Sequence, residues 1–365
     1  MINGQDIIDP VSPRFTAIWQ SSNPREREWI EEIFGPWIAS HVTDSRHQMV
    51  LDNAILFDAF TYCVDPAYYA QFRGKNAFLV EFLDENYEGG RYELYRNFRG
   101  VFRCHWSDAF VHDHVRKLPL GYGKGMARGG RPIQPAARRR YVWSFIGHAG
   151  KSTRPDAVRA LASIEPHFLF STDDVPGLAI LNRVGGQPKR LPPEEYSQIL
   201  LESAFSPCPM GNVNIECFRM YESLECGAIP IVEKRATLDY YRKLLGDHPI
   251  PTVRSWSEAA RMIRRMLRNP DDIDVLQQQC IAWWGDYKRD YRGQVGRFLH
   301  ERSARPSADP IPVMTSMQKI PGWRTIELLR HHNSSAFLRR VNRQLVRLVR
   351  NRKLRVAYRP GVPLD

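Results

Sequence analysis

Residues Phe205–Val232 read FSPCPMGNVNIECFRMYESLECGAIPIV. A short apolar strand around Phe205 runs into a loop broken by Pro207, Pro209 and Gly211. The spacing predicts a helix over Cys217–Cys226, stopped by Gly227, where a glycine commonly ends a helix. Ala228–Val232 (AIPIV) is the next strand. The helix start presents unpaired backbone N–H groups and a positive dipole end, which attract anions. Arg219 stands near that start and offers a two-pronged contact to a phosphate. Glu222, three residues on, shares its face and suits the two hydroxyls of a ribose. Arg219 and Glu222 at this spacing equally make an ordinary surface ion pair.

Outward from this segment, strands alternate with helix-length stretches, the pattern of parallel sheets with crossover helices. Upstream, Tyr141–Gly147 (YVWSFIG) and His167–Ser171 read as strands, and Pro155–Ile164 and Glu194–Ala204 as helices. Downstream, Ser257–Leu267 and Asp271–Trp284 read as helices. Ala54–Phe57, Ala77–Phe82 and Gly100–Cys104 are further strands; the first forty residues are polar, with a short helix at Arg25–Phe34. The Gly-, Pro- and Arg-rich stretch at 118–140 is a loop or linker. The expected division is 1–124, a linker at 125–140, a second domain at 141–300 and an extension at 301–365.

A chain of 365 residues suits two domains, and 43% hydrophobic residues support packed cores. The formal net charge is +12. Residues 331–365 carry nine Arg or Lys against one acid, so eight of those twelve charges sit in the tail. The body is only mildly basic, and nucleic acid is not the expected partner. The six cysteines form no C-x-x-C pair, which fits a reduced, cytoplasmic setting. The N-terminus lacks the apolar core of a signal peptide, and no apolar stretch reaches transmembrane length.

The string RMYESLECGAIPIV from Arg219 to Val232 resembles the C-terminal signature of exostosin-like glycosyltransferases, and most of all the ribitol xylosyltransferase branch and its bacterial relatives. FLVEFLDE (78–85), VFRCHW (101–106), LPLGY (118–122) and WSFIG (143–147) are similar to pieces of that branch, in the same order. The resemblance covers roughly residues 78–232. It implies an α/β protein of GT-B type: two Rossmann-like domains facing across a cleft, the donor held by the second. It implies that Arg219 meets the donor diphosphate and Glu222 the ribose.

Further donor contacts are expected from the turn after the WSFIG strand, Gly147–Arg154, with Gly147, Lys151 and Arg154, and from Gly211 and Asn212 in the loop before the helix. The G-K-S in that turn is no ATPase phosphate loop, because Gly147 and Gly150 are too close together. An inverting transferase needs a base on the acceptor side. Asp84 and Glu85 end an apolar strand where ligands bind, and the resemblance points to the same pair. Asp58 and Asp108 hold similar positions. Arg103 and His105 are possible acceptor or phosphate contacts. Asp272 and Asp274 satisfy D-x-D but mark a helix start, so no metal and no cofactor beyond the nucleotide sugar is expected. No histidine spacing marks Cys208, Cys217 or Cys226 as a nucleophile.

Residues 335–356 read as a basic amphipathic helix, suited to lying on an anionic membrane or to packing on the protein body. The expected activity is transfer from a nucleotide sugar, UDP-linked, to a glycan, lipid-linked glycan or polyol-phosphate acceptor. An enzyme using GDP-fucose and a non-catalytic module holding an anionic polymer are the alternatives.

Overall fold

The computed structural model describes residues 13–21, 24–58, 65–82, 84–87, 92–110, 112–171, 191–305 and 322–331. These form two parallel sheets, of six and five strands. The first holds β1 (Phe15–Trp19), β2 (Ile38–Thr43), β3 (Ala54–Asp58), β4 (Ala77–Glu81), β5 (Gly100–Arg103) and β6 (Val115–Lys117). Their spatial order is β2-β1-β3-β4-β5-β6. Helices α1 (Arg27–Phe34) and α2 (Pro66–Ala70) belong to this half. The second sheet holds β7 (Tyr141–Gly147), β8 (His167–Ser171), β9 (Ser203–Cys208), β10 (Ile229–Glu233) and β11 (Thr252–Val253), in the order β11-β10-β9-β7-β8. Helices α3 (Arg154–Leu161), α4 (Pro193–Leu201), α5 (Phe218–Glu225), α6 (Tyr240–Leu245) and α7 (Trp256–Met266) surround it. Then come α8 (Pro270–Ala304) and α9 (Trp323–His331). This is an α/β architecture with the two Rossmann-like sheets of a GT-B fold.

Every residue of β4, β9 and β10 is buried, which is why β4 and β10 read as apolar runs up to their terminal glutamates rather than as alternation. In the second sheet the chain goes from β7 outward to β8, then crosses to β9 on the other side of β7. That reversal opens a crevice beyond the carboxyl ends of β7 and β9, the place where such sheets bind ligands.

Two expectations need correction. The polar opening forty residues contain β1 and the start of β2; Phe15, Ala17, Ile18 and Trp19 of β1 are buried because that strand lies between β2 and β3. The helix expected to end at Trp284 continues to Ala304, about 52 Å in all. Its first half packs on the second domain: the Gln277 amide donates to the Gly227 carbonyl at 2.8 Å. Its second half packs on the first, with the Phe298 ring 5.2 Å from Phe102. One helix therefore belongs to both halves. The tail at 335–356 lies outside the described residues, as does Cys63. Among the described residues, no helix is long and apolar enough to cross a membrane.

Candidate functional site

β9 ends at Cys208, and the chain turns through 209–217 into α5. Cys217 precedes that helix and supplies no side-chain cap, and the Met220 N–H donates to the Cys217 carbonyl at 3.3 Å. Arg219, in the first turn, is 8% exposed. Its guanidinium donates to the Ile146 carbonyl at 2.5 Å and lies 4.2 Å from the centre of the Phe145 ring. Its Nε is buried without a partner. Gly147 makes this approach possible: it has φ +137°, and a Cβ there would lie 2.8 Å from Arg219 Nη2.

Glu222 lies one turn further along α5. Its Oε1 accepts from Arg25 Nη2 at 2.9 Å and its Oε2 from the Tyr196 hydroxyl at 2.8 Å. The Arg25 guanidinium also stacks 4.3 Å from the centre of the Phe218 ring. Arg154 opens α3 and ties the neighbouring loops together, donating to the His148 carbonyl at 2.9 Å and to the Met210 carbonyl at 3.3 Å.

These groups border one cleft of about 400 Å³ between the two halves. It brings together Glu85, His105, Gly147, Arg154, Gly211, Asn212, Arg219 and Glu222 from the sequence analysis. It adds Arg25, Tyr196, Glu216, Cys217 and Phe218. Lys151 sits in the turn after β7 but does not line the cleft. Glu216 and Phe218 were inside the quoted segment and detectable as an acid and an aromatic beside Arg219. Nothing local marked Arg25 or Tyr196. A larger cavity of about 830 Å³ lies between β6, α6 and α8. The smaller cleft is the stronger candidate, because it lies at the strand ends beside the reversal in the second sheet.

Three arginines, Arg25, Arg154 and Arg219, give the cleft a cationic floor. The Cys217 thiol is drawn down to about 7, chiefly by its hydrogen bond with Cys208, with burial opposing and Arg219 assisting. Among the described residues, no group of three or more His, Cys, Asp or Glu could hold a metal ion. Asp272 and Asp274 lie in the first turns of α8, where Asp274 accepts from the Ala137 backbone N–H at 2.8 Å.

The first-domain residues are arranged differently from expectation. Arg103 is fully buried and is no acceptor or phosphate contact: it is ion-paired with Glu81 and with Asp84, the latter at 2.8 Å. Asp84 also accepts from the Tyr92 hydroxyl at 2.8 Å and is 2% exposed. Its carboxylate therefore neutralises a core arginine instead of facing the cleft. The reason is electrostatic, since a buried guanidinium without counter-charges is costly. Glu85 reaches the cleft, but its Oε1 accepts the backbone N–H groups of Asn212 at 2.9 Å, Val213 at 2.7 Å and Asn214 at 3.0 Å. Burial pushes the Glu85 carboxyl up, yet nearby His105 and these N–H donors outweigh it and hold it below its ordinary value. Glu85 thus clasps the two halves. Gly211 is shaped to that clasp, since a Cβ there would lie 2.9 Å from Glu85 Oε1. Asp108 pairs with Lys243 at 2.6 Å and borders the larger cavity. The Asp58 side chain lies outside the description.

Residues 135–303 match the family model described as the RXYLT1 C-terminal domain. Ribitol-5-phosphate xylosyltransferase 1 of Mus musculus is 26% identical over 119 residues, covering 29% of this chain and 27% of that protein. The proteins of the same name from Danio rerio and Homo sapiens are 24% and 23% identical over 117 and 124 residues, with the same coverage. The match spans only 27% of the length of these relatives. The chain is a distant homologue of ribitol-5-phosphate xylosyltransferase 1, an exostosin-like glycosyltransferase.

Proposed function

We propose that this chain is a glycosyltransferase that moves a sugar from a nucleotide-sugar donor, UDP-linked, to a polyol-phosphate or glycan acceptor. The observation that carries the reading is the pairing of Arg219 and Glu222 on one face of α5, at the strand ends of the second sheet. The α5 start, Arg219 and Arg154 hold the diphosphate. They stabilise the charge that builds on it as the glycosidic bond breaks. Glu222 accepts from the ribose hydroxyls, exchanging its bonds from Arg25 and Tyr196 for them. Arg25 then turns toward the phosphates. The acceptor enters from the first domain and attacks the sugar on the face opposite the leaving diphosphate, inverting the anomeric centre. Protein cations serve the leaving group in place of a metal. The distant relation to an enzyme whose name specifies ribitol 5-phosphate and xylose makes that acceptor and UDP-xylose the first pair to try.

The test is a thermal-shift series with UDP, GDP, CMP and their common sugar conjugates, with Arg219→Ala as control. A ligand at a hundred times its Kd adds about 2.7 kcal/mol to folding stability. A shift for UDP compounds that disappears in the control supports the reading. A shift confined to GDP compounds moves the donor to GDP-fucose or a related sugar. No shift with any nucleotide overturns it.

A further inference from the structure

We propose that His105 is the catalytic base of the transfer. The proposal rests on the reading of the cleft as a glycosyltransferase site and supplies the acceptor-side group that reading lacks. Transfer requires a group that accepts the proton of the attacking hydroxyl. The acids at the cleft are already engaged. Glu85 accepts three backbone N–H groups. Glu216 accepts from the Leu120 backbone N–H at 2.9 Å, the Tyr221 hydroxyl at 2.5 Å and the Tyr240 hydroxyl at 2.7 Å. Glu222 faces Arg25 and Tyr196 on the donor side.

His105 differs from all of them. It follows the carboxyl end of β5, lines the cleft and is 5% exposed. Its Nδ1 is buried with no hydrogen-bond partner. A buried polar atom left unmatched costs free energy, and a catalytic role is one reason a fold retains it. Its backbone holds φ +51°, a conformation uncommon for a residue with a side chain and often found where function fixes geometry. The surroundings suit a base. Burial favours the neutral ring, which can accept a proton at physiological pH. Glu85, Glu216 and Asp84 favour the imidazolium once formed, while Arg103 opposes it.

The proton balance is simple. The acceptor oxygen forms its bond to the anomeric carbon as the bond from that carbon to the diphosphate oxygen breaks. The hydroxyl proton passes to the His105 ring and then to solvent. The electron pair of the broken bond leaves with the nucleoside diphosphate.

The experiment uses the full chain with UDP-xylose and either ribitol 5-phosphate or water as acceptor, reading UDP release. His105→Asn, a residue tolerant of positive φ, and His105→Ala are compared with wild type. The expected result is a UDP-induced thermal shift close to that of wild type with kcat lowered roughly 10²–10⁴-fold. The acidic limb of the wild-type pH–rate profile disappears in both variants. Added imidazole restores turnover to His105→Ala, which a merely structural histidine would not allow. Turnover within a few-fold of wild type in a folded variant overturns the proposal, as does a kcat loss that imidazole leaves untouched. A wild-type chain with no UDP shift overturns the donor-site reading instead. One that binds UDP but turns over neither acceptor overturns the enzymatic reading and this proposal together.

Discussion

Arg25 and Glu222 meet at 2.9 Å across the cleft, although 197 residues separate them in the chain. The guanidinium comes from the first domain and the carboxylate from α5 of the second, so this contact is sensitive to how the halves sit together. The Arg25 guanidinium also lies 4.3 Å from the centre of the Phe218 ring. The Arg25 side chain is 57% exposed and that of Glu222 only 4%. The buried acid is therefore the fixed partner and the arginine the movable one.

The first expectation concerns that arginine. An ion pair with one exposed member contributes about 0–1 kcal/mol to stability. Arg25→Ala should leave the urea midpoint nearly unchanged while weakening UDP-sugar affinity by about tenfold, equivalent to about 1.4 kcal/mol. Calorimetric titration beside a denaturation curve checks both halves of the statement. An unchanged affinity would mean that Arg25 does not reach the donor.

Asp84 provides a separate test of role. Removing it leaves Arg103, which is fully buried, with less counter-charge. Breaking one partner of a buried ion pair costs about 3–5 kcal/mol. Asp84→Ala should unfold at markedly lower urea, or fail to accumulate folded. An Asp84→Ala chain of wild-type stability that has lost only turnover would return Asp84 to the position of catalytic base.

Acid sensitivity follows from buried histidines. His114 is held down to about 3, first by burial and then by Arg302, His112 and Arg116. Burial also lowers His105, His248 and His331. A histidine whose folded pKa lies below its unfolded value of 6.5 binds fewer protons when folded. Stability therefore rises with pH across the window between the two values and is complete above the upper one. For His114 the loss begins as pH falls below 6.5 and continues toward about 3. Each such histidine contributes a slope of up to ~1.4 kcal/mol per pH unit inside its own window. Urea midpoints measured from pH 8 to pH 5 should fall most steeply below pH 6.5, while above pH 7 the lowered Cys217 thiol leaves a separate rise with pH. A flat profile would mean that these rings stay solvated.

Cys217 should report donor occupancy. Its thiol is drawn down to about 7 and borders the cleft, whereas burial pushes Cys226 and Cys280 up to about 12. The thiolate is the nucleophile in alkylation. Iodoacetamide at pH 8 should modify Cys217 before Cys226 or Cys280, and UDP should slow it several-fold. Peptide mass spectrometry gives the order. Labelling unaffected by UDP would place the nucleotide away from the α5 start.

The sequence by itself determined the fold class and most of the second domain. Tyr141–Gly147 and His167–Ser171 were readable to the residue, because both are short runs rich in aromatic and branched apolar residues with sharp ends. Arg219, Glu222 and Gly147 were legible for a local reason. Strand end, turn and helix start lie close together in the chain, and their chemistry is set by the backbone there. Only the tertiary structure decided the rest. β1 looks unremarkable until β2 and β3 flank it. Asp84 and Glu85 are adjacent acids in sequence, yet one turns inward to Arg103 and the other crosses to the loop at 212–214. Arg25 and Tyr196 acquire meaning only where chain segments far apart converge, and His105, a candidate by position alone in the sequence, shows its unmatched Nδ1 only there. Burial, electric field and unmatched hydrogen bonds belong to that convergence, and no local pattern encodes them.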